Sequence, residues 1–287
     1  MRRWVAAAVL AAGLAGCGHD LPKGVDGDLT DGWRPMAAAT RFRPQPGACH
    51  ADLVQSATAD DSAPVPCTAA HMTETAAVTD LGSSVTLAAA GARAFTACSR
   101  QASSFLGGDW RTGWVVLQPV LPSREAWSGG ARWVRCDVAE TSPVDGALVR
   151  RSGSMRATVK SAGKLRMACA NPTISHDTVT EMHPVACGSA HTAEFAGLFA
   201  TKRAKSAQLT SDELADGCDT AIARFTALKD DGTLPSRVGW LGFPPDDTAW
   251  TMGDRAIRCF LWLNGERMTG SYRNAGPGKL KIHYARR

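Results

Sequence analysis

Val65-Pro66-Cys67-Thr68-Ala69-Ala70-His71-Met72-Thr73-Glu74 and Val185-Ala186-Cys187-Gly188-Ser189-Ala190-His191-Thr192-Ala193-Glu194 share the pattern Val-x-Cys-x-x-Ala-His-x-x-Glu. Around these stretches, Cys49, Cys67, Cys98 and Cys136 are separated by 18, 31 and 38 residues. Cys169, Cys187, Cys218 and Cys259 are separated by 18, 31 and 41. The first three cysteines of each quartet stand at a constant offset of 120 residues. The flanks agree. Trp127-x-x-Gly130-Ala131-Arg132-x-x-Arg135-Cys136 answers Trp250-x-x-Gly253-Asp254-Arg255-x-x-Arg258-Cys259. Gly113-Trp114 answers Gly239-Trp240, and Ser152-Gly153-Ser154 answers Thr269-Gly270-Ser271. We therefore expect an internal duplication, with loop-length variation around the Gly-Trp pair.

Periodicity assigns the elements. Phe95, Cys98, Ala102 and Phe105 recur at steps of 3, 4 and 3, and Leu214, Cys218, Ile222 and Phe225 at 4, 4 and 3. Each set traces one face of a helix. Thr210 and Glu213 form a candidate capping box at the start of the second helix. Ile257, Cys259 and Leu261 alternate as they would on one face of a strand. The expected fold is α+β: two tandem small domains, each an antiparallel sheet with a packed helix and two disulfides. Four cysteines allow three connectivities. A helix cysteine facing a strand cysteine favours Cys98–Cys136 and Cys218–Cys259, which leaves Cys49–Cys67 and Cys169–Cys187.

The ninth cysteine, Cys17, stands apart. Arg2 and Arg3 precede an apolar run from Trp4 to Leu14, too short to span a bilayer. Such a start reads as a signal peptide. Leu14-Ala15-Gly16-Cys17 resembles a bacterial lipobox, so Cys17 is expected to carry a diacylglyceryl anchor, two chains sufficing for stable attachment. The expected division is a signal peptide at 1–16, a lipid-anchored polar tether at 17–40, domain copies at 41–156 and 157–275, and a basic tail at 276–287. The expected location is the extracytoplasmic face of the cell membrane. An even count of remaining cysteines fits an oxidising compartment.

With 44% hydrophobic and 21% charged residues, the composition is that of a globular chain. The net charge of +5 is spread without a long basic block, so no nucleic-acid partner is expected. Alanine and arginine dominate over lysine, in keeping with a high-GC bacterium.

The combination of Val-x-Cys-x-x-x-His-x-x-Glu, a later helix cysteine, Met252-Gly253-Asp254-Arg255-Ala256-Ile257-Arg258-Cys259 and a closing Thr-Gly-Ser resembles the septum formation family of actinobacterial envelope proteins. The resemblance runs from about residue 40 to 275. The first copy departs from it in having Ala131 where the second has Asp254, but keeps Gly47-Ala48-Cys49-His50, similar to the family's opening segment. The resemblance implies a link to cell division and carries no biochemical activity with it.

Candidate binding residues are those the repeat preserves: His71 with Glu74, His191 with Glu194, Arg132, Arg255, Trp127 and Trp250. A His–Glu hydrogen bond fixing the segment after the second cysteine is the expected role of the first pairs. The arginines suit either a bidentate anion or a local ion pair, for instance with Asp254. The tryptophans, with Trp114 and Trp240, suit core packing or a partner contact. No Gly-x-Ser-x-Gly, phosphate-cradling loop or His-Glu-x-x-His occurs, and Ser161-x-x-Lys164 lacks companion motifs. The expectation is a non-catalytic envelope module without metal or cofactor, binding an envelope or division protein or a cell-wall polymer. The alternatives are a metal-binding protein or metal-dependent hydrolase using the His-x-x-Glu pairs, and a structural spacer.

Overall fold

A computed structural model describes residues 42–53, 63–229 and 232–282. The expected signal peptide, Cys17 and the tether to residue 40 lie outside the described residues, as do residues 283–287. The chain from Arg41 onward forms one compact unit, with two antiparallel sheets inside it.

The first sheet contains β1 (Cys49–His50), β2 (Thr73–Asp80), β3 (Val115–Val120), β4 (Trp133–Thr141) and β5 (Leu148–Val149). Its order is β1-β2-β4-β3, with β5 paired to β4. Helix α1 (Leu87–Leu106) lies between β2 and β3 in the chain, and the short α2 (Arg124–Ser128) between β3 and β4. The second half repeats the order strand, strand, long helix, strand, short helix, strand, with one strand added after its first and, among the described residues, no strand in the place of β5. Strands β6 (Cys169–Ser175), β7 (Thr178–Val185), β8 (Ala193–Ala200), β9 (Gly239–Phe243) and β10 (Ala256–Trp262) make a sheet of order β7-β6-β8-β10-β9. Helix α3 (Ser211–Thr226) follows β8, and α4 (Asp247–Met252) precedes β10.

Register repeats with the elements. Ala77 faces Cys136 across β2 and β4, and Gly197 faces Cys259 across β8 and β10. A bulge falls at the next step in both pairs, leaving Ala76 and Ala196 without a partner in register. Bulges bend a strand and raise its twist.

The expected helix stripes are the buried ones. Phe95, Cys98, Ala102 and Phe105 join Val115, Leu117, Val134 and Val138 in one core. Cys218, Ile257 and Cys259 share another, with Leu214 against it, and Ile222 packs with Leu261 beside it. All four disulfides pair as expected: Cys49–Cys67, Cys98–Cys136, Cys169–Cys187 and Cys218–Cys259. By loop-closure entropy each is worth about 3–4 kcal/mol.

Three expectations need adjustment. Thr210 accepts from the Glu213 amide at 3.2 Å, but Glu213 does not complete the box. Its carboxylate takes hydrogen bonds from Thr201 and Arg203 instead, and with Thr201 first these hold it below the ordinary glutamate range. The segment after Arg156 stays with the first half: Val159 and Leu165 belong to the α1 core, and the Val159 amide donates to the Leu106 carbonyl at 3.0 Å. The start of the C-terminal tail is docked, not solvated. Leu280 is 3% exposed in the α3 core, and Arg237 donates to its carbonyl.

Candidate functional site

The His-x-x-Glu segments enter β2 and β8 in extended conformation, so the two side chains of a pair diverge. They do not bond each other, contrary to expectation. His71 donates from Nδ1 to the Ala69 carbonyl at 2.9 Å, and His191 to the Ser189 carbonyl at 2.7 Å. A carbonyl only accepts, so the proton sits on Nδ1. The Nε2 atom of each ring is buried without a hydrogen-bond partner among the described residues. The backbone at His71 exchanges two hydrogen bonds with Arg151, and that at His191 two with Met268.

The glutamates seize the closing segment. Glu74 accepts from Ser154 Oγ at 2.7 Å and from the Met155 amide at 2.6 Å. Glu194 accepts from Ser271 Oγ and from the Tyr272 amide at 2.8 Å. The glycine before each serine donates to the carbonyl of Cys67 or Cys187. Each corner is thus a clasp between the second cysteine and the end of its half. Hydrogen bonds to a charged, buried acceptor contribute about 1.5–3 kcal/mol each, ample reason for the pattern to recur.

Arg132 and Arg255 are spent nearby. Arg132 lies over the Trp127 ring at 4.3 Å and donates to the Trp127 and Ala131 carbonyls. Arg255 lies over Trp250 at 4.8 Å and donates to the carbonyls of Trp250, Asp254, Arg203 and Ala204. Trp127 and Trp250 are buried, and the Trp250 indole donates to Ala204. The expected local ion pair at Asp254 is instead a contact between halves: Arg111 Nε meets its carboxylate at 2.8 Å.

That ion pair sits in a seam whose contributions are unequal. The Trp114 ring of the first half stacks on Phe260 at 6.4 Å, and Met252 of the second packs on the α1 core. Arg258 Nε donates to the Arg111 carbonyl at 2.9 Å. Beside these contacts a groove of about 470 Å³ is lined by both halves, among them Trp110, Trp114, Phe243, Pro244, Arg258 and Phe260. Burial presses down on the Arg258 guanidinium, Asp254 opposes that, and Arg111 adds to it.

The two halves also differ beneath their sheets. In the first, Arg135 is fully buried with Asp137, its NH2 at 2.8 Å. Thr75 donates to Asp137 at 2.8 Å and accepts from His50 Nε2 at 3.1 Å. Burial pushes the Asp137 carboxyl above its ordinary range, against the pull of Arg135, Thr75 and His50. The corresponding residues of the second half are Ala170, Phe195, Arg258 and Phe260, and there Ala170, Phe195 and Phe260 form an apolar cluster.

A family model described as septum formation matches residues 46–259, across both halves. The chain belongs to the septum formation family. No curated protein and no solved structure matches it.

In this septum formation protein the preserved residues expected to bind are placed in the scaffold, at the clasps and the tryptophan corners. The buried network of His50, Thr75, Arg135 and Asp137 and the groove arginine Arg258 were not among the expected site residues. A signal existed for the arginines. Arg135 and Arg258 precede a core cysteine on a strand, so each points to the opposite face from the disulfide, and a charge there demands a partner. No sequence signal locates the groove, whose walls come from segments over a hundred residues apart.

Proposed function

We propose that this protein is a non-catalytic binding or scaffold protein of the cell envelope, lipid-anchored through Cys17 and working in septum formation or cell division. The observation that carries it is the commitment of the preserved polar residues to the fold. Glu74, Glu194, Arg132 and Arg255 are all engaged by backbone groups, so what the chain preserves is a rigid body and not a reacting centre. The family membership supports the envelope and division setting. Among the described residues no helix is long and apolar enough to cross a membrane, and attachment rests on the lipobox. Proximity labelling around the anchored protein in growing cells tests the role. Enrichment of division proteins is expected; labelling indistinguishable from an unrelated lipoprotein overturns it. Cys17→Ala should release the protein from the membrane fraction.

A metal-binding reading has one observation in its favour. Cys49, Cys67 and Glu74 bring donor atoms within 4.8 Å of one another, as do Cys169, Cys187 and Glu194. Both cysteine pairs are disulfides and both glutamates hold the clasps, so these donors are engaged unless the bonds are reduced. Four free thiols with stoichiometric zinc in the mature protein would favour metal binding over a scaffold.

A further inference from the structure

The two halves treat one arginine differently. Arg135 is held at 2.8 Å by Asp137 within its own strand. Its counterpart Arg258 has Phe260 at that place, and its one hydrogen bond among the described residues runs from Nε to the Arg111 carbonyl. Asp254, the carboxylate whose charge acts most on it, is committed to Arg111. The NH1 and NH2 groups of Arg258 are therefore left for something else, on the wall of the seam groove. Trp110 lines the same groove, and its buried Nε1 lacks a partner among the described residues.

The surroundings narrow the occupant. Trp114, Phe243 and Pro244 offer an apolar wall, with Phe260 packed behind Trp114 and Phe243. Asp145, Glu181 and Asp246 add carboxylates, which disfavour a doubly charged phosphate and welcome a cationic group. The groove is also flanked by β3 and β7, each the outermost strand of its sheet. Edge strands offer unpaired backbone groups to an added extended segment. A volume of about 470 Å³ lies in the range of small-ligand pockets and holds a few residues of peptide.

We propose that the seam groove binds a short extended peptide ending in a free carboxylate, its terminal oxygens held by the Arg258 fork, its apolar side chains on Trp114 and Phe243, and a cationic group toward the acidic residues. This gives the binding role above a site and a ligand class, and rests on that role only for its biological setting.

The test uses the full chain with labelled methionine methyls, read by NMR at Met167 and Met182, which line the groove. The probe is Lys-Pro-Phe-Ala as free acid and as C-terminal amide. The acid should shift both methyls, and amidation should weaken binding at least tenfold on the unaltered protein. Arg258→Gln should weaken the acid at least tenfold and leave the amide unchanged; Arg258→Lys, which keeps the charge without the fork, should fall between. Glu181→Gln should cost a few-fold. Equal affinity for acid and amide overturns the proposal, as does the absence of shifts at millimolar peptide. Contacts between Trp114 and residues 1–41 of the same chain would overturn it too, by naming an internal occupant. Each of these failures leaves the labelling result intact, so the envelope role and the peptide site fall separately.

Discussion

Asp137 shows how far one residue's chemistry is set by its surroundings. Nothing in Arg135-Cys136-Asp137 marks an unusual carboxyl, yet it is 1% exposed beside a fully buried guanidinium. Burial raises its pKa, so the folded chain keeps a proton that the unfolded chain releases near about pH 3.9. The stability from this proton is fully present below that value and is lost as pH rises through the raised folded value. Comparing the chain with Asp137→Asn by urea unfolding across acid to neutral pH, the wild-type advantage should shrink as pH rises. An advantage that grows instead would mean that the Arg135 pair outweighs burial. At the same scale, the His-x-x-Glu spacing was visible in the sequence but its geometry was not. Three residues apart means neighbours on a helix and opposite faces on a strand, and entry into β2 and β8 decided for the strand.

Helices α1 and α3 were legible because burial writes a 3.6-residue period into sequence. Their ends show where equivalence stops. Helix α1 ends on Gly107 at φ 78°, and α3 ends at the equivalent place on Ala227 at φ 57°. The left-handed region costs a residue with a Cβ about 1–2 kcal/mol, and glycine little. Ala227→Gly should therefore stabilise the chain by about 1 kcal/mol in urea unfolding, and no gain would show that glycine's extra freedom in the unfolded chain cancels the relief. The hairpin of β6 and β7 turns through His176 and Asp177, both at positive φ. Among the described residues of the first half the equivalent strand, β1, is two residues long, and the cysteine ladder carries no information on the length of this hairpin.

The seam joins residues both halves have, such as Trp114 and Arg258, to residues only the second half has, such as Asp254 and Phe260. Asp254 stands where the first half has Ala131, a departure that makes sense once Asp254 is seen to hold Arg111 across the seam. The alanine packs beside Trp133 and Val120, with no partner half to meet. The Arg111 and Asp254 side chains are 18% and 6% exposed, and removing one partner of a buried pair costs about 3–5 kcal/mol. Asp254→Ala should lose about 3 kcal/mol, with protease sensitivity rising first near the seam. A loss below about 0.5 kcal/mol would mean that Trp114 and Met252 hold the halves without it. One compact unit is thus built from two halves of related topology by an asymmetric seam, and the groove is a product of that asymmetry.

By itself the sequence determined the two long helices, the strand at the last cysteine, the favoured disulfide pairing and the family resemblance. These follow from local periodicity and from cysteine spacing, which near-neighbour chemistry governs. The fate of the polar residues belonged to the tertiary structure. Whether a histidine meets its glutamate, or an arginine finds a carboxylate, depends on which distant segment arrives opposite it. Arg135 and Arg258 have the same local setting before a core cysteine. The sequence already sets Phe260 against Asp137, but only the cross-seam packing, which draws Asp254 to Arg111, left Arg258 open.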